Sequence, residues 1–321
     1  MGKIDNAIND YVAKPERFAQ IVNYGIFHGE NVMDPEKLKE MERASRKKNT
    51  ADKTRDIVKL YDDKTCFIIV GVENQNKIHY LMPLRVMDYD VRSYEEQRKE
   101  IARSHYEKNN LKTPEELLSR FTKEDRLKPV VTLVVYYGAQ PWDGAKELHD
   151  LLDISAEMEP YRDLIENYKI HVMEINKMDS FDEFSDDLKR IFGFVKYQSN
   201  QDKLKRYVSE HEGLFEEIPE EDSDVIQAMA DSKQLVKQIK KNREGEVTYM
   251  CKAIKDWEQT SIRIGEKRGE ERGAEKLLMN QVRKKILKGK LIEEIADELE
   301  MSENDIRKVY QLVMEQVKKS A

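Results

Sequence analysis

The chain has 321 residues, of which 39% are hydrophobic and 37% charged, and its formal net charge is −7. This length predicts one larger domain with a smaller one appended. The negative charge excludes a uniformly basic coat for nucleic acid, so any nucleic-acid site must be local. The sequence has no run of the roughly 18 apolar residues that a membrane span needs. Its two cysteines do not support a disulfide framework or a thiolate metal site, and we therefore expect a cytoplasmic protein with no membrane segment.

Apolar residues at helical spacing predict two short helices between residues 4 and 27, separated at Pro15. A strongly basic stretch follows and leads into Asp56. We interpret it as a phosphate-binding segment, with a solvated loop as the alternative. Its basic residues are Arg43, Arg46, Lys47, Lys48, Lys53, Arg55 and Lys59.

Runs of β-branched and aromatic residues predict four strands, at residues 56–61, 65–74, 129–137 and 170–175. The first two form a hairpin around a turn at residues 62–64. Pro83 lies in the first turn of a predicted helix that runs to about Tyr106. Together these elements predict an α/β fold.

A helix is predicted over residues 181–194, after which the strand signal ends, so we place a domain boundary near Ser199. Residues 200–321 are predicted to be an all-helical extension with an acidic linker at 216–224. This extension could support a homo-oligomer. The chain ends in a helix-turn-helix-like element whose second helix is capped by Ser302. Its predicted small core is Ile295, Ala296, Leu299, Met301, Ile306 and Val309.

The charges of this terminal element are unevenly divided. Acidic residues crowd its first helix, whereas Arg307 and Lys308 lie on the second. That balance favours a protein contact over a DNA groove.

The most informative segment runs from Thr65 to Asp90, TCFIIVGVENQNKIHYLMPLRVMDYD. Both faces of its strand are apolar up to residue 72, which is typical of a strand covered by helices on both sides. The strand then ends in Glu73 and Gln75, which share one face. Because Asp56 begins the preceding strand, antiparallel pairing brings its carboxylate close to that of Glu73.

Two adjacent carboxylates favour a divalent ion, and oxygen ligands favour Mg²⁺ or Mn²⁺. Such an ion meets the two demands of phosphodiester hydrolysis, since it lowers the pKa of a bound water and neutralises charge on a phosphate oxygen. The alternative is that both acids are solvated strand ends.

The string ENQNKIHYLMPLRVMDYD, preceded by RDIVK and followed by a Tyr-Tyr-Gly strand, resembles the recombination-promoting nuclease or YhgA-like putative transposase family of the PD-(D/E)XK nuclease superfamily. The resemblance covers roughly residues 5–199. It implies a PD-(D/E)XK-like mixed sheet flanked by helices, a metal site at Asp56 and Glu73, and cleavage of DNA. It also implies a role in recombination or transposition.

The chain departs from the superfamily pattern at Gln75, where the superfamily usually carries a lysine. An amide can orient water but supplies no charge. We interpret Lys77 as the substitute, because it shares the strand parity of Gln75 if the strand extends that far, and Arg85 as the alternative. The superfamily often adds an acid from its first helix, and three residues remain open for that role: Asp5, Glu16 and Glu30.

Three further side chains could contact substrate. His79 could do so, although packing or capping before Pro83 is the alternative. Tyr136 and Tyr137 could stack on bases, but strand alternation sends one of them into the core.

The sequence therefore predicts a metal-dependent DNA endonuclease, and two rivals remain open. One is a catalytically silent DNA-binding or regulatory protein, and the other is an assembly protein that oligomerises through its tail. The predicted catalytic residues are Asp56, Glu73, Gln75 and Lys77, and the predicted DNA contacts are Arg46, Lys47, Lys48, Lys53, Arg55 and Arg85.

Overall fold

The computed structural model of the chain describes residues 3–40, 57–62 and 67–320. Its backbone divides into two compact units, one up to Ile254 and one from Lys255 onward. None of the helices in these ranges is long and apolar enough to cross a membrane.

A mixed five-stranded sheet forms the centre of the first unit. In it β1, β2 and β3 are antiparallel neighbours, whereas β3, β4 and β5 are parallel, and the spatial order follows the chain. The four predicted strands are present, and the short β1 was not predicted because three residues carry no readable alternation. The strands are β1 (Leu38–Glu40), β2 (Ile57–Asp62), β3 (Phe67–Gln75), β4 (Val130–Tyr136) and β5 (His171–Glu174).

Helices cover both faces of this sheet. On one face, the Cβ atom that an alanine at Gly25 would carry meets Leu133 of β4, so the second N-terminal helix packs closely there. On the other face, the long central helix packs on β4 through Val86 and Val134. These helices are α1 (Lys3–Val12), α2 (Pro15–Gly25), α3 (Met82–Lys108), α4 (Pro114–Ser119) and α5 (Asp186–Tyr197).

Residues 200–254 are mostly helical, as the sequence predicts, but they are not all helical, and the residues predicted to form an acidic linker form a helix. The segment contains a small three-stranded sheet made of two-residue strands, which are too short to show a period of two. Its hairpin turns at Gly245, whose φ of +59° favours glycine. Its elements are α6 (Gln201–Glu210), α7 (Glu212–Phe215), β6 (Ile218–Pro219), α8 (Glu220–Met229), α9 (Lys233–Lys241), β7 (Arg243–Glu244) and β8 (Val247–Thr248).

The predicted acidic linker folds as α8 and packs against α1 and α5 because its central acid is neutralised. Asp222 is 2% exposed, accepts a hydrogen bond from the Tyr11 hydroxyl at 2.9 Å, and pairs with Arg190. Burial raises the pKa of Tyr11, so the phenol remains a donor. The compact unit consequently ends at Ile254, and the boundary near Ser199 stays a prediction about where the nuclease-like part ends.

The second unit contains the end of α10 (Met250–Ile286), α11 (Ile292–Glu298) and α12 (Glu303–Ser320). Of the predicted core, Ile295, Ala296 and Ile306 are buried, with Leu299 and Val309 packed against them. Met301 is exposed, because it lies in the turn between the two helices. The prediction also lacked Val282 and Val313, which complete the buried cluster.

Candidate functional site

The register of β2 against β3 bears on the predicted acid pair. Ile57, which follows Asp56, pairs with Val72, which precedes Glu73. Asp56 lies outside the described residues, and the main chain of Glu73 pairs with Val134 of β4. The predicted approach of the two acids depends on this register, and the approach itself stays a prediction.

The sheet beside the end of β3 is apolar and closed to water on the α3 side. Val134, Tyr136, Met82 and Val86 belong to one buried cluster. In the same cluster Trp142 meets the Tyr136 ring edge to face, with ring centroids 5.2 Å apart. Charges at the neighbouring end of β3 would therefore interact across a low dielectric.

Gln75 is the last residue of β3 and is half-buried. Its carbonyl oxygen accepts a hydrogen bond from the Tyr137 amide at 2.8 Å, which holds the strand end against β4. Next to it, the Asn74 amide nitrogen donates to Asn9 of α1 at 2.6 Å. The tip of β3 is thus held by hydrogen bonds on both sides, which suits a residue that must orient a substrate or a water.

The condition on which Lys77 was preferred does not hold. The strand ends at Gln75, so the alternation that would place Lys77 beside it does not reach that residue. Lys77 is exposed in the following bend, where it lines a cavity of about 240 Å³ with Tyr137 and Gln198.

Arg85, the alternative, lies on the first turns of α3, half-buried. Its Nε donates to the Tyr89 hydroxyl oxygen at 2.7 Å, and its guanidinium carbon lies 5.5 Å from the centroid of the Tyr89 ring. The next residue, Val86, packs in the same cluster as Val134, which is the sheet partner of Glu73. Arg85 therefore carries a positioned charge on the helix that covers this part of the sheet.

One buried acid on α3 was missed from the sequence. Asp90 accepts a hydrogen bond from the Thr132 hydroxyl at 2.8 Å and another from the Tyr168 hydroxyl. It is 5% exposed. Asp90 follows Val86 by one helical turn, so helical spacing placed it on the covered face, and that position was the available signal.

A second missed acid ends β5. Gln75, Tyr136 and Glu174 lie in one row across the sheet, with Glu174 two strands from Gln75. Burial raises the pKa of Glu174, but hydrogen bonds from Lys177, the Trp142 amide and Lys146 outweigh it, and the net shift is downward. With these donors around it, Glu174 is a structural acid of the sheet edge.

Among the residues that the structure describes, no group of three or more His, Cys, Asp or Glu side chains is placed to hold a metal ion. This absence does not concern the predicted ligands, because Asp56 and the side chain of Glu73 lie outside those residues. Two carboxylates beside an amide would suit Mg²⁺ or Mn²⁺, and the metal site at Asp56 and Glu73 stays a prediction.

Comparison with protein families gives one finding. Residues 47–226, more than half of the chain, match the family model described as "Putative transposase, YhgA-like". The chain belongs to the YhgA-like family. Comparisons with curated proteins and with solved structures gave no match.

In this YhgA-like chain, the remaining candidate substrate contacts and first-helix acids differ in their exposure to solvent. Tyr136 and Tyr137 are both buried, so neither offers a ring to a base. The carbonyl of His79 accepts a hydrogen bond from Met82 at 2.9 Å, which places it in the turn that opens α3. Glu16 and Glu30 are exposed, and the side chain of Asp5 lies outside the described residues.

The YhgA-like match begins inside the basic stretch. Lys59 is 1% exposed in β2, with its amine 5.7 Å from the Phe18 ring centroid, so the prediction that it belongs to a phosphate-binding cluster was wrong. Strand alternation buries it beside Ile57 and Tyr61. The others, Arg43, Arg46, Lys47, Lys48, Lys53 and Arg55, lie outside the described residues.

Proposed function

We propose that this YhgA-like protein is a metal-dependent DNA endonuclease whose site lies where β2 begins and β3 ends. The pairing of Ile57 with Val72 carries the proposal, because it brings the flanks of Asp56 and Glu73 together in a chain of this family. A role in recombination or transposition accompanies the proposal by family membership.

The fold is consistent with a PD-(D/E)XK-like core, which we include in the proposal. A mixed sheet carries helices on both faces, and the predicted acid pair is assigned to its central strands β2 and β3. In that arrangement the polar end of β3 borders the apolar wall formed with α3.

In the proposed site, Asp56 and Glu73 hold Mg²⁺ or Mn²⁺. The ion would supply an acidified water and neutralise charge on the phosphate. Gln75 orients the attacking water through its side-chain amide, because an amide can both donate and accept hydrogen bonds.

We assign the positive charge that Gln75 cannot supply to Arg85 rather than to Lys77. Arg85 is held by Tyr89 on the helix that covers the sheet, whereas Lys77 is exposed beyond the strand end. A guanidinium always carries its charge and offers paired donors to a phosphate. Held in place beforehand, such a group stabilises developing charge more strongly than a mobile one.

DNA is the proposed substrate. The basic residues that precede Asp56 would bind its phosphates, and each such contact adds a salt-dependent increment of affinity. They are Arg46, Lys47, Lys48, Lys53 and Arg55.

The test is nicking of supercoiled plasmid by the purified full chain, with Mg²⁺ and with EDTA. We expect nicking only with the metal, and none from Asp56→Ala or Glu73→Ala. Asp62→Ala is the matched control, because Asp62 is an acid at the opposite end of β2 that pairs with Lys39. Nicking by Asp56→Ala at the wild-type rate would reject the mechanism.

The second candidate is a catalytically silent DNA-binding or regulatory protein, and glutamine at position 75 in place of lysine favours it. It predicts that the protein retards DNA in a gel. It also predicts no cleavage with any divalent metal, at acidic, neutral or alkaline pH. The third, an assembly protein, predicts that removal of the second unit leaves a monomer with unchanged DNA affinity. That truncation belongs after Ile254, because a cut after Ser199 would remove α8 from α1 and α5.

A further inference from the structure

The second unit contains a helix-turn-helix whose outer surface is not used by the proposed nuclease site. The helices α11 and α12 pack with the end of α10 around the buried cluster of Val282, Ile295, Ala296, Ile306 and Val313. Three helices around one small core are the usual support of a helix-turn-helix in DNA-binding proteins.

The connection between the two helices is short and well defined. Four residues, 299–302, separate α11 from α12, and Glu300 among them has a φ of +53°. Ser302 caps the second helix, since its hydroxyl oxygen accepts the amide of Asp305 at 3.3 Å. A short turn with one left-handed residue lets the two helices cross at a steep angle, which exposes one face of the second.

The exposed face of α12 carries side chains of the types that contact DNA, beside the acids Glu303 and Asp305 at the start of the helix. Ile306 and Val313 point into the core, while Asn304, Arg307, Lys308 and Gln311 are exposed. Amides read adenine, and arginine and lysine read guanine or bind phosphates. Arg307 forms an exposed pair with Glu303 at 3.5 Å, which is weak enough to exchange for a phosphate.

A basic segment adjoins α11. Arg283, Lys284 and Lys288, near the end of α10, are exposed, with no acidic residue between positions 283 and 290. In helix-turn-helix complexes the first helix of the motif crosses the DNA backbone, so positive charge beside it is placed to meet phosphates.

Of the acids of α11 that favour a protein contact, Glu294 and Glu298 have partners inside the unit, and Glu293 and Asp297 are exposed. Glu298 pairs with Lys285 and Lys290, and Glu294 accepts the amide of Leu291 at 2.9 Å. Asp305 accepts from the Ser302 hydroxyl at 2.7 Å. The charge of Glu298 is offset by two lysines, so this acid opposes DNA less than an unpaired carboxylate would.

We propose that the second unit binds double-stranded DNA, with the first turns of α12 in the major groove and Arg283, Lys284 and Lys288 on the phosphates. Arg307 and Lys308 are the side chains that this places nearest the DNA. The residues of this proposed site are different from those of the proposed nuclease site, and the proposal does not depend on that site.

The test measures binding of a fluorescent 30-base-pair duplex by the full chain in EDTA, across a salt series, in a Glu73→Ala background. Without metal and without Glu73, nuclease activity does not enter the result. We expect Arg307→Ala/Lys308→Ala to weaken binding about tenfold. We also expect the slope of log affinity against log salt to become shallower by about 0.9 for each lost phosphate contact.

The matched control is Lys267→Ala/Arg268→Ala, which removes the same charge from an exposed stretch of α10. We expect this pair to change the affinity by less than about twofold, because the exposed charges are distant from the groove and screened. The variant Arg307→Lys/Lys308→Arg should keep most of the salt slope, and a thermal melt of each variant checks that the unit folds.

Equal weakening by the two alanine pairs would overturn the proposal, since it would show a general effect of net charge. So would unchanged DNA affinity in Arg307→Ala/Lys308→Ala, including the case in which that variant alters the oligomeric state and reveals a protein contact. Loss of nicking in Glu73→Ala with retained DNA binding would bear on the nuclease site alone.

Discussion

The Nε of Arg85 donates a hydrogen bond to the hydroxyl oxygen of Tyr89 at 2.7 Å, one helical turn further along α3. Tyr89 is 3% exposed and Arg85 is half-buried, so a buried phenol fixes the position of the guanidinium on α3. Residues four apart on a helix lie one above the other, and this spacing allows the contact. Through this hydrogen bond, the buried Tyr89 would position the Arg85 charge that we assign to the nuclease site.

Arg85→Ala should lower the rate of plasmid nicking about 100-fold, the scale on which removal of one positioned charge-stabilising group acts. Lys77→Ala is the paired comparison, because it also removes one positive charge, from a site beyond the end of β3. We expect it to retain most of the rate. The measurement is the single-turnover nicking rate with Mg²⁺, and a larger loss in Lys77→Ala than in Arg85→Ala would return the role to Lys77.

Tyr89→Phe should reduce nicking about tenfold while leaving the protein folded, because the ring remains while the hydroxyl that accepts from Arg85 is removed. If Tyr89→Phe lowers the nicking rate less in an Arg85→Ala background than in the wild type, the two residues act together. Tyr94→Phe is the control, since it removes the hydroxyl that accepts the Val130 amide elsewhere on α3. Identical nicking rates for Tyr89→Phe and the wild type would mean that the hydroxyl does not position Arg85.

Thr132→Val should destabilise the protein by about 1.5–3 kcal/mol, because it removes a hydrogen bond to the buried Asp90 and keeps the shape of the side chain. Thr132→Ser, which retains the hydroxyl, should lower the free energy of unfolding by less. Urea unfolding followed by circular dichroism measures both. A stability order in which serine costs more than valine would show that packing, rather than the hydrogen bond, joins α3 to β4.

Asp222→Asn should destabilise the protein by about 3–5 kcal/mol, because it leaves Arg190 buried without its counter-charge. Asp224→Asn, two residues along α8, breaks an exposed pair with Arg243 and should cost less than about 1 kcal/mol. The comparison is made by urea unfolding at neutral pH. Similar losses in the two variants would contradict the role given to the network in joining α8 to α1 and α5.

The pH dependence of His105 offers a further measurement. Hydrogen bonds to Asp125 and Asn110, each 2.7 Å, raise the pKa of His105 above its ordinary 6.5. A raised pKa in the folded state means that the stabilising contribution is fully present below pH 6.5 and is lost as the pH rises through the folded pKa. An NMR titration of the imidazole should therefore have a midpoint above 6.5.

Asp125→Asn should move that midpoint downward, because it removes the carboxylate. Glu124→Gln removes a neighbouring exposed acid and should leave the midpoint nearly unchanged. A midpoint that shifts equally in both variants would assign the raised pKa to the general field of the segment.

The sequence by itself determined the elements with enough residues to show a period. Four strands and the long α3 were predictable, since runs of β-branched and aromatic residues indicate strands and apolar repeats over several turns indicate the covered face of a helix. The family was also readable, because the spacing of Asp56, Glu73 and Gln75 with the HYLMPLR segment belongs to the chain alone.

The tertiary structure decided which charged residues are buried and which are exposed. Lys59 and Asp222 look like solvated charges in the sequence, yet both are buried. The sequence assigns Lys77 to the site on the condition that the strand reaches it, and β3 ends at Gln75. The physical reason is that the burial of a charge depends on partners far along the chain, such as Arg190 for Asp222, and periodicity reports only on neighbours.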